Sequence, residues 1–158
     1  MIILLTYLPI AAIGDRSKIM SNWNHKQVLL LEDNEIDALS FQKAVKKIGV
    51  PADIIVKENG EEGLSYLKLA KGDLPGLIVL DLNMPNMNGL EFLKEIKDDG
   101  LLRSIPVVVL TTSGDITDKM ACLRLGVVGY MVKPVSNDAY LTVIRQIFSY
   151  WGRSSLPN

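Results

Sequence analysis

The sequence predicts an α/β sandwich of three layers around a parallel sheet, and three observations lead there. Apolar, β-rich runs begin near Val28, Ile54, Leu77, Val107 and Val128, spaced by 26, 23, 30 and 21 residues. The runs VLLL, IIV, LIVL, VVVL and the weaker VVGYMV are nearly continuous in apolar residues, as expected of strands covered on both faces. Between them lie patterns of helical period. Five such βα units with right-handed crossovers place helices on both faces of the sheet.

Each helix follows from its own stretch of chain. Ile36, Leu39, Lys43, Val45 and Ile48 border the inward face of the first, with Asn34 as N-cap and Gly49 as stop. Leu64, Leu67 and Ala70 mark the second, Leu90, Leu93 and Ile96 the third, and Met120, Leu123 and Leu125 the fourth, with Thr112 or Ser113 expected to cap it. The last is the most apolar, through Tyr140, Leu141, Val143, Ile144, Ile147, Phe148 and Trp151. Met84 and Met87 are expected to fill gaps around the loop after the third strand. Cys122 reads as a core thiol and His25 as a flexible residue near the N-terminus.

Composition narrows the function. A length of 158 residues suits one domain, and 48% hydrophobic content is ample for a core. A net charge of -1 argues against broad electrostatic binding to nucleic acid or to an anionic membrane. With one Cys and one His there is neither an internal disulfide nor a zinc site of the usual Cys/His type, and any Ser-His or Cys-His catalysis would rest on His25 alone. The uncharged start MIILLTYLPIAAI is too short to span a bilayer, is interrupted by Pro9 and lacks the basic opening of a signal peptide. The expectation is a cytoplasmic protein. Residues 1–19 read as an extension upstream of a true start at Met20, within an N-terminal extension of residues 1–26. The domain then runs over 27–152, followed by a polar tail at 153–158.

In an open parallel sheet ligands bind beyond the carboxyl ends of the strands. The residues there are Glu32 and Asp33 after the first strand, Asp81 after the third, Thr111, Thr112 and Ser113 after the fourth, and Lys133 and Pro134 after the fifth. Clustered carboxylates repel unless protons or a cation lie between them. A hard divalent ion such as Mg2+ takes oxygen ligands of this kind. Lys133 and the Thr111 hydroxyl could hold an anion opposite the metal. Asp is a known nucleophile toward phosphoryl groups, and a metal with one cation neutralises the charge of the transferring group.

Taken together, LLLEDN, LIVLDLNMPNMNGLEFL, PVVVLTTS and GYMVKP, in this order and at these strand ends, resemble the receiver domain of bacterial two-component response regulators from about Gln27 to Trp151. The resemblance implies a doubly wound, flavodoxin-like sheet of order 2-1-3-4-5. It implies Asp81 as phosphoacceptor and Mg2+ held by Glu32, Asp33, Asp81 and the backbone carbonyl of Asn83. Thr111 and Lys133 would contact the phosphoryl oxygens, Tyr130 would change rotamer with Thr111, and the Lys133–Pro134 bond would be cis. Glu32 replaces a commoner Asp, and Thr112 stands where a smaller Ala is frequent. Within the family, EDNEIDA, the TTS stretch and the pair Tyr150–Trp151 resemble the stand-alone regulators of bacterial phytochrome kinases.

The expected partners are a sensor histidine kinase or phosphotransfer protein and a downstream protein target, without nucleic acid or membrane. The chain would then be a phosphoacceptor, and an enzyme only toward its own phosphorylation and dephosphorylation. Tyr150 and Trp151 serve equally well as core cover or as a homodimer face. Two enzyme-like or cofactor-bearing alternatives are weaker. A phosphatase of the haloacid dehalogenase type needs a second Asp where Asn83 stands. In a flavodoxin-like electron carrier, Glu32 and Asp33 would repel the flavin phosphate. A non-phosphorylated interaction scaffold is the remaining alternative. Taken singly, Asp81 could merely cap the turn before Pro85, Lys133 could be a surface lysine and Tyr130 plain packing. Their joint placement at the strand ends favours the site.

Overall fold

The computed structural model describes Trp23 and residues 26–153, with side chains as far as Tyr150; residues 1–19, His25, the Trp151 side chain and the tail beyond Arg153 lie outside the described residues. The elements are β1 (Gln27–Leu31), α1 (Glu35–Ile48), β2 (Asp53–Lys57), α2 (Gly60–Leu69), β3 (Leu77–Leu80), α3 (Gly89–Asp98), a 3-10 turn (Leu102–Ser104), β4 (Val107–Thr111), α4 (Ile116–Arg124), β5 (Gly129–Val132) and α5 (Asn137–Arg153). All strand pairs are parallel, in the order β2-β1-β3-β4-β5. Each strand starts at or beside the residue where its apolar run begins.

Alternate strand residues feed two separate cores. Val28, Leu30, Leu77, Val79, Val108, Leu110 and Met131 point to the side covered by α1 and α5, where Phe41 and Phe148 are fully buried. Leu29, Leu31, Ile78, Leu80, Val107, Val109 and Tyr130 point to the other, under α2, α3 and α4 with Phe92. This two-sided cover is why the strand sequences do not alternate between apolar and polar.

Two helices differ from their sequence reading. In α1, Ile36 and Leu39 are 74% and 52% exposed, and the buried set is Ala38, Phe41, Ala44, Val45 and Ile48. The helical period runs through the aromatic and the alanines, and the two large aliphatics fall on the opposite side. In α4 the inward residue is Cys122, whereas Met120 is exposed. Neither Thr112 nor Ser113 caps α4: the helix starts later, and Asp115 accepts the Thr117 N–H at 2.6 Å. The caps of α1 are as expected. Asn34 accepts from the Ile36 and Asp37 N–H groups, and Gly49 adopts the left-handed φ of 76° that favours glycine.

Trp23, in the segment read as an extension, belongs to the first core. It is 2% exposed, its Nε1 donates to the Phe148 carbonyl at 2.9 Å, and its ring meets that of Phe148 edge-on at 5.0 Å. Tyr150 packs half-buried against the same core. Among the described residues no helix is long and apolar enough to cross a membrane.

Candidate functional site

The site is set by register. Leu31 of β1 lies opposite Leu80 of β3, and the Asp81 N–H donates to the Leu31 carbonyl at 3.0 Å. Glu32 and Asp81 therefore leave the sheet side by side, at the point where the strand order reverses. Two strands away, the Lys133 N–H donates to the Thr111 carbonyl at 2.7 Å, which starts the lysine stem beside the end of β4. The loop that follows Asp81 is pressed against the start of α3. A Cβ on Gly89 would lie 2.6 Å from the Asp81 carbonyl oxygen, so only glycine fits there without displacement. Asn88 and Glu91 close that helix end with a reciprocal capping box.

Lys133 Nζ sits among three carboxylates: Glu32 Oε2 at 2.6 Å, Asp37 Oδ2 at 3.0 Å and Asp81 Oδ2 at 3.3 Å. The second oxygens of Glu32 and Asp81 accept backbone N–H groups, from Asn34 at 3.1 Å and from Asn83 at 3.3 Å. Each of these two carboxylates is thus aimed from both ends. The Lys133–Pro134 bond is trans, which corrects the cis geometry that the resemblance implied. Trans is the intrinsically favoured form of an X–Pro bond by about 0.5–1 kcal/mol, and in it the ammonium reaches all three carboxylates.

Glu32 is 4% exposed and Asp81 6%, so charge here is costly. Burial pushes the Glu32 carboxyl up to about 7, the hydrogen bond from Lys133 opposes this, and the charge of Asp81 adds to it. Burial also works against the Lys133 charge, yet the hydrogen bond to Glu32 and the nearby charge of Asp81 outweigh it, and the ammonium is held above the usual lysine range. One lysine does not balance this cluster. Glu32, the exposed Asp33 and Asp81 bring carboxylate oxygens within 4.8 Å of one another. That all-oxygen donor set fits a hard divalent cation. Asn83, exposed in the loop, contributes its N–H to Asp81 as described.

Thr111, fully buried at the end of β4, accepts the Ser113 N–H at 3.3 Å through Oγ1. The Ser113 carbonyl in turn accepts the Tyr130 hydroxyl at 2.9 Å. Tyr130, 7% exposed, points inward into the second core. Thr111 and Tyr130 are therefore joined through a single residue. Ser113 Oγ donates to Asp118 at 2.7 Å, which anchors that residue to α4.

Sequence reading placed Glu32, Asp33, Asp81, Thr111 and Lys133 at this edge, and the structure puts all five there. It missed Asp37, which reaches Lys133 from the first turn of α1. An acid in a first helical turn is ordinarily read as a complement to the helix dipole, so Asp37 carried no distinguishing signal. Ser113 was read as a cap and instead bridges Thr111 and Tyr130. Cys122 is fully buried, and burial, with the charge of Asp118, pushes its thiol up to about 11, away from reactivity.

Comparison with known proteins agrees with this geometry. The family model described as "Response regulator receiver domain" matches residues 28–145. A probable methanogenesis regulatory protein, FilR2 of Methanothrix harundinacea, is 36% identical over 127 residues, covering 78% of this chain and 82% of that protein. Response regulator Rcp1 of a Synechocystis strain is 34% identical over 130 residues, 80% of this chain and 88% of Rcp1. The Mn(2+)-bound form of Rcp1 superimposes with a TM-score of 0.77 at 33% identity, over 84% of this chain and 99% of that one. The phosphorylated cyanobacterial phytochrome response regulator RcpA superimposes with a TM-score of 0.79 at 35% identity, over 85% of this chain and 99% of its own. The doubly wound sheet, the carboxylates at its switch point and the match across residues 28–145 together establish that this chain belongs to the receiver-domain family of two-component response regulators.

Proposed function

We propose that the chain is a stand-alone response regulator that accepts a phosphoryl group on Asp81 from a sensor histidine kinase or phosphotransfer protein. The observation that carries this reading is the placement of Asp81, which ends β3 beside Glu32 and Asp33 and lies 3.3 Å from the Lys133 ammonium. An Asp81 carboxylate oxygen attacks phosphorus, the new O–P bond forms, and the P–N bond to the donor imidazole breaks with its electron pair leaving on nitrogen. The hydroxyl of Thr111 and the ammonium of Lys133 supply hydrogen-bond donors for the phosphoryl oxygens. Glu32, Asp33, Asp81 and the Asn83 carbonyl would hold Mg2+, which would supply charge neutralisation for the transferring group. The phosphorylated RcpA and the Mn(2+)-bound Rcp1 support both parts by similarity. The phytochrome regulators among the similar structures favour a kinase of that type as donor.

The output is a changed surface that a downstream protein reads. The pair Thr111 and Tyr130, joined through Ser113, is the element that shifts. Incubation of the purified chain with acetyl phosphate and Mg2+ should give an adduct stable in acid and labile in base. Asp81→Asn should abolish it. Undiminished labelling of that variant overturns the assignment.

A further inference from the structure

We infer that Asp37 is the positioning residue of Lys133, the group that keeps its ammonium at the site when the other carboxylates are engaged elsewhere. This rests on the phosphoacceptor reading of Asp81. An ammonium has three N–H donors, and Lys133 spends them on Glu32, Asp37 and Asp81. Glu32 and Asp81 belong to the cluster whose oxygens fit a divalent cation, and Asp37 does not. Asp37 is thus the one partner whose carboxylate stays available to the lysine alone. A lysine stem is flexible and strongly hydrated, so an ammonium without a fixed partner is poorly placed.

Asp37 is itself fixed. Its backbone N–H is held by Asn34 Oδ1 at 3.1 Å, in the same capped turn whose Asn34 N–H orients Glu32. Its carboxylate is 42% exposed, against 4% for Glu32, so it reaches Lys133 from the solvent side of the site, whereas Glu32 reaches it from within. The lysine is held between an inner carboxylate and an outer one.

The test uses the full chain. Asp37→Asn keeps the side-chain shape, and labelling by acetyl phosphate with Mg2+ should slow about fivefold, the loss expected of one partly screened charge-assisted hydrogen bond. Mg2+ affinity should stay within about twofold, since no metal-binding carboxylate is changed. In a Lys133→Ala background the same substitution should have no further effect, because Asp37 acts only through the lysine. A normal rate in Asp37→Asn, or an equal slowing with and without Lys133, overturns the inference.

A second readout does not depend on phosphorylation. In 15N-labelled protein with saturating Mg2+ at low temperature, the Lys133 ammonium resonance should be visible in the wild type and lost to solvent exchange in Asp37→Asn. Its absence from the wild type, or equal protection in both, also overturns the inference. If the wild type fails to label at all, the phosphoacceptor reading falls, and the ammonium resonance alone decides the role of Asp37.

Discussion

Lys133 Nζ and Glu32 Oε2 lie 2.6 Å apart across 101 residues of sequence, and the Glu32 carboxyl is nonetheless pushed above the usual carboxylate range. Burial raises this carboxyl from an ordinary 4.5 to about 7, so between those values the folded chain binds more protons than the unfolded one. Stability must then fall as pH rises from about 4.5 to about 7, by about 3 kcal/mol at most for this group. Urea midpoints measured in EDTA should drop from pH 5 to pH 7.5 in the wild type, relative to Glu32→Gln. Identical profiles in the two proteins would show that Glu32 is not perturbed. Saturating Mg2+ should oppose the fall, because it binds the deprotonated carboxylate of the folded chain and so stabilises more as the proton leaves, by about 2.7 kcal/mol at a hundred times its Kd.

Gly89, the first residue of α3, should behave unlike the loop glycine Gly114. A methyl group there meets the backbone of both Asp81 and Leu82, at 2.6 and 2.8 Å, and backbone cannot rotate away. Gly89→Ala is expected to cost about 1–3 kcal/mol and to slow labelling at Asp81 in the same protein. Gly114→Ala, with nothing within 4 Å, is the control and should leave both unchanged. Denaturation midpoints and acetyl phosphate labelling of the two variants make the comparison.

Trp23 should matter to the whole domain. Its ring and its N–H both engage Phe148, so Trp23→Ala empties a core position and removes the indole hydrogen bond to the Phe148 carbonyl. A loss of about 3–5 kcal/mol is expected, with Trp23→Phe losing less because the ring survives. Equal stability of Trp23→Ala and wild type in chemical denaturation would show that the segment before β1 does not contribute.

The Tyr130 hydroxyl should separate packing from phosphoryl chemistry. Tyr130→Phe removes only the bond to the Ser113 carbonyl, at an expected cost of about 0.5–1.5 kcal/mol, and should leave Asp81 labelling near its normal rate. Thr111→Val removes a hydroxyl assigned to the phosphoryl oxygens and should slow labelling severalfold. If both variants label equally, Thr111 has no contact with the transferring group.

The strand runs were legible because burial on both faces leaves an uninterrupted apolar signature that no other element of this length shares. The site residues were legible because each ends one of those runs. Helix faces were harder to read. In α1, Ile36 and Leu39 outrank Ala38 and Ala44 in hydropathy, yet it is the alanines that share the buried face with Phe41, Val45 and Ile48, the face that packs with α5. Asp37 was invisible for a different reason, since its role depends on a lysine 96 residues away. The trans bond before Pro134 was likewise beyond the residues themselves, because the choice is set by tertiary context.

β5 sends Tyr130 into one core and Met131 into the other, and two residues later the chain delivers Lys133 to the site. This short edge strand, bonded to β4 alone, therefore joins both layers to the site within the four residues Tyr130 to Lys133. A substitution that repacks either side of the sheet is expected to reach the ammonium through this strand.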